Sequence, residues 1–456
     1  IASDLGRFRC HLLDGVTGSG KTEVYMCLLE QVLAGGQQAL VLVPEIGLTP
    51  QLLRRFEQRL GVEPAVIHSG LAAGERLAAW EAARSGRAPL LVGTRSALFT
   101  PMPRLGLIVL DEEHDASFKQ QEGFRYSARD VAVKRAAELG VPVVLGSATP
   151  SLESLRNARE GRYGWQRLLE RATLASLPAW RVLDLRQQST RHGMTGAALE
   201  AVSATLNRGE QVMVFLNRRG YAPVLMCQSC GWHGLCERCD ANLTWHRGGG
   251  RLCCHHCGHQ RRAPALCPEC RADALVGAGE GTQQLEEYLA RKFESVPVLR
   301  FDRDKVNRKG VMDEQLAQVR EGERCLMVGT QMLAKGHHFP GVTLVVIVNV
   351  DQALYSADYR ALERMGQMIQ QVAGRAGRAE KKGTVILQTL HPEHPALALL
   401  LEQGYAAYAE WLLEERRQAS LPPCGHQALL RADAHGRGEV ERFLRAALGC
   451  FPAGAA

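Results

Sequence analysis

Four Cys-x-x-Cys pairs, Cys227/Cys230, Cys236/Cys239, Cys254/Cys257 and Cys267/Cys270, crowd one segment of this 456-residue chain. Each pair offers two thiolates from one tight turn, and four thiolates complete a closed tetrahedral zinc site. A disulfide framework is the competing reading, but it belongs to small secreted domains, whereas a chain of this length buries a core of its own. The order of the pairs nests them. Cys236, Cys239, Cys254 and Cys257 are expected around one Zn²⁺, and Cys227, Cys230, Cys267 and Cys270 around a second. A full set of thiolates leaves His233, His255, His256 and His259 no necessary role as ligands, and Cys253 is a neighbour placed to compete. Cys10, Cys27, Cys325, Cys424 and Cys450 lack paired spacing and read as buried or incidental. Because the segment is poor in apolar residues, metal is expected to hold it in place of a core.

Phosphate chemistry lies upstream, at Gly15-Val16-Thr17-Gly18-Ser19-Gly20-Lys21-Thr22. Leu12 and Leu13 read as a strand leading in, and Val24, Leu28, Leu29, Val32 and Leu33 recur at helical spacing after it. In such a loop Gly15, Gly18 and Gly20 let backbone N–H groups approach the phosphates. Lys21 reaches the β and γ phosphates, Thr22 holds Mg²⁺, and the helix N-terminus favours the anion. ATP and Mg²⁺ are the cofactors this implies. A second apolar run, 107–110, ends in Asp111-Glu112-Glu113-His114. Asp111 is the candidate Mg²⁺ ligand, and Glu112 is the candidate group to orient and deprotonate the attacking water. A third run, 141–145, leads to Gly146-Ser147-Ala148-Thr149, where Ser147 and Thr149 are candidates for coupling nucleotide state to movement.

The elements that must position these groups show an internal near-repeat. Arg84-Ser85-Gly86-Arg87-Ala88-Pro89-Leu90-Leu91-Val92-Gly93-Thr94 matches Arg320-Glu321-Gly322-Glu323-Arg324-Cys325-Leu326-Met327-Val328-Gly329-Thr330. Each copy leads to an apolar strand expected to end in Asp (Asp111, Asp351), and each follows a Phe-Glu pair (Phe56-Glu57, Phe293-Glu294). Two copies of one α/β unit imply two parallel-sheet lobes. Only the first carries a phosphate loop, so the second is expected to close over the nucleotide and to contribute arginine. Gln370-Gln371-Val372-Ala373-Gly374-Arg375-Ala376-Gly377-Arg378 supplies it. Arginines three apart on a helix share a face, with Arg378 the expected finger on the transferred phosphoryl group and Arg375 its companion.

Taken together, 15–22, 111–114, 147–149, 329–330 and 371–378 resemble the superfamily 2 helicases. Further runs resemble the PriA family of replication-restart helicases within them. These are Gly15 to Tyr25, Pro44-Glu45-Ile46-Gly47-Leu48-Thr49-Pro50-Gln51, Leu216-Asn217-Arg218-Arg219-Gly220-Tyr221, the eight cysteines, and 329–340. The resemblance covers roughly residues 11 to 430. It implies an α/β fold of two RecA-like parallel-sheet lobes with a zinc-binding insertion in the second lobe and a partial C-terminal α/β domain. The expected boundaries are lobe 1 over 1–180, the start of lobe 2 over 181–226, the two-zinc insertion over 227–270, the rest of lobe 2 over 271–415, and the C-terminal part over 416–456. It also implies ATP-dependent 3′-to-5′ unwinding of DNA at stalled or repaired forks and promotion of primosome assembly. Gln371 joins the nucleotide contacts on the same ground. DNA, single-stranded and forked, is the expected partner, with single-stranded-DNA-binding protein and other primosome components, in a monomer of the bacterial cytoplasm associated with the nucleoid. The expected DNA contacts are Thr49, Gln51, Thr94, Arg95, Thr330 and Gln331, with Phe118, Phe124 and Tyr126 interleaved with Lys119 and Arg125 as a stacking loop. The family's N-terminal DNA-binding region and its adenine-contacting glutamine segment have no counterpart before Lys21, and the chain ends early, so it reads either as a fragment or as the product of a truncated gene. The alternative is a zinc-bearing DNA-binding scaffold with a vestigial or switch-like ATPase. The complete set Lys21, Thr22, Asp111, Glu112, Arg375 and Arg378 favours the enzyme.

A net charge of +7 and a pI near 8.8 suit a polyanion partner without demanding one. The sequence has no apolar run of membrane-spanning length and no low-complexity tract, so no membrane partner is expected.

Overall fold

In the computed structural model the described residues are 1–456 apart from 45–49, 122, 172–177, 187, 217–224, 228, 239–242, 247–249, 255–258, 278–281, 302–314, 316, 320, 331–332, 334–338, 340, 349, 357, 378–380, 429, 431, 433, 435 and 452–456. Thr49, Arg378, Cys239, Cys257, His255, His256 and Gln331 therefore lie outside them, as do all of 217–221 and most of 331–340.

Runs of Val, Leu and Ile with no polar interruption make strands buried on both faces, which forces a parallel sheet flanked by helices. The first lobe contains β1 (Cys10–Gly15), α1 (Lys21–Ala34), β2 (Gln38–Leu42), α2 (Pro50–Leu60), β3 (Ala65–Ile67), α3 (Ala73–Arg84) and β4 (Leu90–Gly93). It continues with β5 (Leu105–Asp111), α4 (Ala128–Leu139), β6 (Val143–Ser147), α5 (Leu152–Arg159) and β7 (Gly164–Leu168). The sheet order is β3-β4-β2-β5-β6-β1-β7, and every pairing is parallel. The ends of β1, β5 and β6 thus lie side by side, bringing the phosphate loop, the acidic motif and the Ser147–Thr149 segment together. The strand expected over 141–145 runs instead to Ser147, because Gly146 and Ser147 pair with β1.

The second lobe begins at β8 (Ala179–Asp184) and the hairpin β9 (Thr190–Arg191) and β10 (Met194–Thr195), followed by α6 (Gly196–Asn207) and β11 (Gln211–Leu216). The cysteine-bearing insert follows, with β12 (Leu225–Cys227), β13 (Thr244–His246), β14 (Arg251–Cys253), β15 (Gln260–Arg262) and β16 (Leu275–Gly277). The lobe resumes with α7 (Thr282–Lys292), β17 (Val298–Phe301), β18 (Leu326–Gly329), β19 (Val342–Val348), α8 (Asp351–Leu354), α9 (Ala361–Ala373), β20 (Thr384–Thr389) and α10 (Pro395–Gln418). Its sheet order is β17-β18-β11-β19-β20-β8, again all parallel.

The two sheets repeat each other down to single atoms. β3-β4-β2-β5-β6 corresponds to β17-β18-β11-β19-β20. The Gln38 amide donates to Ala83 O and Ala88 O, and that of Gln211 donates to Val319 O and Glu323 O. A Cβ on Gly93 would meet Ile67 O at 2.5 Å, and one on Gly329 would meet Phe301 O at the same distance, so only glycine lets these strands lie so close. The expected Asp at both strand ends is not duplicated. Asp111 closes β5, whereas β19 ends at Val348 and Asp351 opens α8, buried and accepting from Leu390 N at 2.9 Å and from the Thr389 hydroxyl.

The insert corrects the expectation that it has no core. Leu225, Leu243 and Leu252 are buried, with Trp232, Trp245, Ala263 and Leu275 packed around them. Pairing of β12 with β16 closes it at its base. The last unit, Leu413–Ala456, holds α11 (Arg437–Gly449) and, among its described residues, no strand. Among the described residues no helix is long and apolar enough to cross a membrane.

The lobes meet partly through Glu153, whose carboxylate is ion-paired with Arg129 at 3.6 Å and with Arg360 from the second lobe. Burial alone would raise its pKa, but the two guanidinium groups outweigh burial and hold it at about 2, below the ordinary 4.5. The stabilisation is complete above the ordinary pKa and is lost as pH falls towards the folded one, on the order of 3 kcal/mol in all. In denaturant unfolding, wild type should exceed Glu153→Gln by roughly this amount at pH 7, with the gap narrowing from about pH 5 to about pH 3.

Candidate nucleotide cleft and zinc centre

The chain leaves β1 at Gly15 and turns into α1 through Gly18 and Gly20, both left-handed at φ of 83° and 90°. That conformation strains any residue with a Cβ. Lys21 and Thr22 open α1, where free backbone N–H groups face outward. The Lys21 ammonium donates to Gly15 O at 2.7 Å, and the buried Ser19 hydroxyl has no protein partner. A cradle of amides with an orphaned hydroxyl and an ammonium fits a phosphate group.

Asp111 faces this loop from β5. Tyr25, one turn along α1 from Lys21 and fully buried, donates its hydroxyl to Asp111 Oδ1 at 3.0 Å. Burial and the neighbouring Glu112 raise the Asp111 pKa to about 6, against the pull of Lys21 and Tyr25. A carboxylate held in this way gains by pairing with a cation, which fits a Mg²⁺ ligand. Glu112 adopts φ 51°, a left-handed conformation of the kind concentrated at functional sites. Gly146 on β6 must lack a side chain, since a Cβ would collide with the Tyr25 hydroxyl.

Glu113 points away from this chemistry into the protein. It accepts from Ser151 N (2.7 Å), Ser151 Oγ (2.9 Å) and Ser154 Oγ (2.9 Å), and ion-pairs with Arg129 (3.3 Å). His114 links the lobes. The Gln371 amide donates to its Nε2 at 2.6 Å, which puts the ring hydrogen on Nδ1, 2.7 Å from Ser147 Oγ. Ser147 Oγ in turn accepts from Thr149 N at 2.9 Å. Gln371 also reaches Glu112 Oε2 at 3.4 Å. Expected at the nucleotide, Gln371 thus sits on the candidate water-activating carboxylate and its histidine.

The arginine segment departs from the expected helix. α9 ends at Ala373, Gly374 caps it, and Gly377 has φ 66°, so Arg375 stands in a turn beyond the helix, while Arg378 lies outside the described residues. Two glycines in four residues stop the helix. The turn presses on the phosphate loop, for a Cβ on Gly374 would come within 3.1 Å of Thr17 Oγ1. Arg375 is buried there.

The stacking loop divides. Phe118 is core at 2 % exposure, whereas Phe124 is 81 % exposed. Tyr126 lies between Phe124 (centroids 6.1 Å apart) and Phe99 (5.0 Å, edge-on), and Phe99 is itself 54 % exposed. Arg95 fixes the loop by donating to Ser117 O (2.7 Å) and Lys119 O (3.2 Å), while Arg135 donates to Leu98 O and Thr100 O beneath Phe99. Phe99 was not foreseen, because it joins the other rings only through the fold. Thr94 and Thr330 occupy equivalent buried positions, their N–H groups donating to Ile67 O (3.0 Å) and Phe301 O (3.4 Å).

In the insert, Cys227, Cys230, Cys267 and Cys270 converge as the nesting predicted, with all four Sγ atoms within 4.8 Å of one another. Cys227 Sγ lies 3.6 Å from Cys270 Sγ and Cys230 Sγ 3.7 Å from Cys267 Sγ, far beyond a disulfide bond. Four sulfurs about 2.3 Å from a tetrahedral Zn²⁺ stand about 3.8 Å apart, so the set fits that ion. Of the second set, Cys236 and Cys254 are buried in the insert's small core. His233, expected at the surface or beside the metal, stacks on Tyr355 of the second lobe at 4.2 Å.

Known families match this layout in order. The DEAD/DEAH box helicase profile matches residues 5–158, the PriA DNA helicase Cys-rich region (CRR) domain 236–262, and the helicase conserved C-terminal domain 274–380. Replication restart protein PriA of Haemophilus influenzae is 51 % identical over 437 residues, covering 96 % of this chain and 60 % of that protein. The Bacillus subtilis protein of that name is 43 % identical over 94 % of this chain and 53 % of its own length. That of Rickettsia felis is 35 % identical over 97 % of this chain and 68 % of its own. The chain thus spans somewhat over half the length of the first two relatives. Among solved structures, RecG bound to a three-way DNA junction (TM-score 0.50, 16 % identity, 96 % of this chain and 47 % of that one) shares the fold. So does Mss116p bound to single-stranded RNA and AMP-PNP (0.52, 13 %, 88 % and 69 %). With a common order of motifs and a third or more of its residues identical along nearly its whole length, the chain belongs to the family of replication restart protein PriA.

Proposed function

We propose that this chain is the motor of an ATP-dependent DNA helicase of replication restart, translocating 3′-to-5′ at stalled or repaired forks and promoting primosome assembly. The observation that carries the reading is the cleft itself: the phosphate loop and Asp111–Glu112 from one lobe meet Gln371 and the Arg375 turn from the other. A vestigial ATPase has no need to keep Asp111 buried beside Glu112, with its pKa raised, next to an orphaned loop hydroxyl. In this reading Lys21 and the loop amides bind the phosphates, Thr22 and Asp111 hold Mg²⁺, and Glu112 takes the proton of the attacking water while Gln371 orients it. Arg375 and Arg378 stabilise charge on the transferred group. ATP supplies the phosphoryl group whose transfer drives motion between the lobes.

DNA crosses the edge where Phe99, Phe124 and Tyr126 are presented, and base stacking on such rings tolerates any sequence. The insert carries two Zn²⁺, one on Cys227, Cys230, Cys267 and Cys270, the other on Cys236, Cys239, Cys254 and Cys257. Single-stranded-DNA-binding protein and other primosome components are the proposed partners, in the bacterial cytoplasm at the nucleoid.

Single-stranded DNA should stimulate Mg²⁺-dependent ATP hydrolysis by wild type, and Lys21→Ala should abolish it with an unchanged circular dichroism spectrum. Hydrolysis that persists in Lys21→Ala removes the loop from the mechanism. Arg378→Ala should retain nucleotide affinity while losing turnover by a factor on the order of 10³, since a finger acts mainly as charge shifts; an equal loss of affinity would make it a ground-state ligand. Metal analysis should find two zinc ions per chain, one of them lost in Cys236→Ala. That variant is expected to keep DNA-stimulated ATPase and to lose strand separation.

A further inference from the structure

Helix α9 carries a stripe that the catalytic reading does not absorb. Arg360, at its N-cap, and Glu363, Gln367 and Gln371 within it recur three or four residues apart, which places them on one face, and Gly374 follows at its C-cap. Each meets the first lobe. Gln371 and Gly374 touch the acidic motif and the phosphate loop as described above. The other half grips the segment directly after Thr149. Glu363 Oε1 accepts from Leu152 N at 3.0 Å, Gln367 donates to Thr149 O at 3.3 Å, and Arg360 pairs with Glu153. Tyr405 of α10 adds a bond to Pro150 O at 2.8 Å.

The target of Glu363 is unusual. Leu152 N–H is one of the orphan donors in the first turn of α5, and the second lobe caps it from outside. The neighbouring donor, Ser151 N, goes to Glu113 of the acidic motif. One helix N-terminus is thus shared between a carboxylate of the candidate catalytic strand and a carboxylate of the opposite lobe. Around this joint lies a polar cavity of about 290 Å³, lined among others by Lys119, Arg129, Arg360, Glu363 and Gln367. Directional bonds beside open space thus form part of the joint.

We infer that Glu363 is a positioning residue: by capping α5 it sets α9 in register on the first lobe, so that Gln371, towards the far end of the helix, meets the acidic motif and Arg375, in the turn just beyond it, lies at the phosphate loop. The helix spans thirteen residues, or about 20 Å, and a helix of that length transmits a rotation at one end to the other. The bond needs an acceptor oxygen at position 363 and does not need a charge. Glutamine therefore preserves it and alanine does not.

This inference rests on reading the cleft as an ATPase, but one of its measurements does not. On the full chain, wild type, Glu363→Ala and Glu363→Gln are compared by ATP turnover with a single-stranded oligonucleotide and by small-angle X-ray scattering without nucleotide. Thermal unfolding checks that each is folded. Glu363→Ala should lower kcat about 10- to 100-fold with KM moving less than about 3-fold, as for a bond that serves the transition state. Its radius of gyration should increase as the lobes part. Glu363→Gln should recover most of both. A wild-type kcat and radius in Glu363→Ala overturns the proposal, as does a Glu363→Gln as impaired as the alanine variant. If wild type hydrolyses no ATP, the ATPase reading fails and the scattering comparison still decides the latch. Should Glu363→Ala not fold, Gln367→Ala, which removes the bond to Thr149 O, is measured in its place with the same expectations.

Discussion

Glu113 is buried at the end of β5, and a buried carboxylate is tolerable only when its oxygens are fully engaged. Ser151 N, two serine hydroxyls and Arg129 engage it. Those bonds tie the strand that carries Asp111 and Glu112 to the first turn of α5, and α5 is where the second lobe takes hold. Without them the strand end that carries Asp111 and Glu112 would be held by its sheet and Tyr25 but would lose its tie to α5. With them, the acidic motif, the Ser147–Thr149 segment and the contact between lobes form one connected polar network. Such a network is stiff because each member satisfies another.

Around that network the two sheets supply placement. Parallel strands buried on both faces leave little choice about where loops emerge, so the ends of β1, β5 and β6 meet at one edge. Tyr25 and Gly146 show how tightly that edge is fitted: the phenol reaches Asp111 through the space a side chain at 146 would fill. The second sheet repeats the first in strand order and in the Gln38/Gln211 and Gly93/Gly329 contacts, yet the sequence carries no second phosphate loop. The insert emerges from this second lobe after β11. It stands on a Met226, Tyr355 and Leu390 cluster, with His233 stacked on Tyr355, and so is seated on the lobe as well as organised by cysteines.

The sequence alone determined whatever depends on neighbours in the chain. Glycine spacing in 15–22 dictates a loop that only left-handed positions can make, and apolar runs ending in polar residues dictate strands with chemistry at their tips. Cys-x-x-Cys turns dictate paired thiolates, and the near-repeat around Gly93 and Gly329 dictates two like lobes. The nesting of Cys227 and Cys230 with Cys267 and Cys270 was legible from the order of the pairs, the outer two closing around the inner two, and the pairing of β12 with β16 brings the ends of that segment together.

Only the tertiary structure decided which groups meet across long separations. Gln371 was read as a nucleotide contact from its place in a motif, and the fold sets it on His114 and Glu112. Phe118 and Phe124 are alike in type and six residues apart in number, yet one is core and the other almost fully exposed. Asp111 and Asp351 both follow apolar strands; one faces the phosphate loop and the other fastens α8 to β20. The physical reason is common to all three. Backbone conformation follows from local sterics and side-chain type, whereas burial and partner choice are fixed by packing between elements whose approach no local pattern encodes.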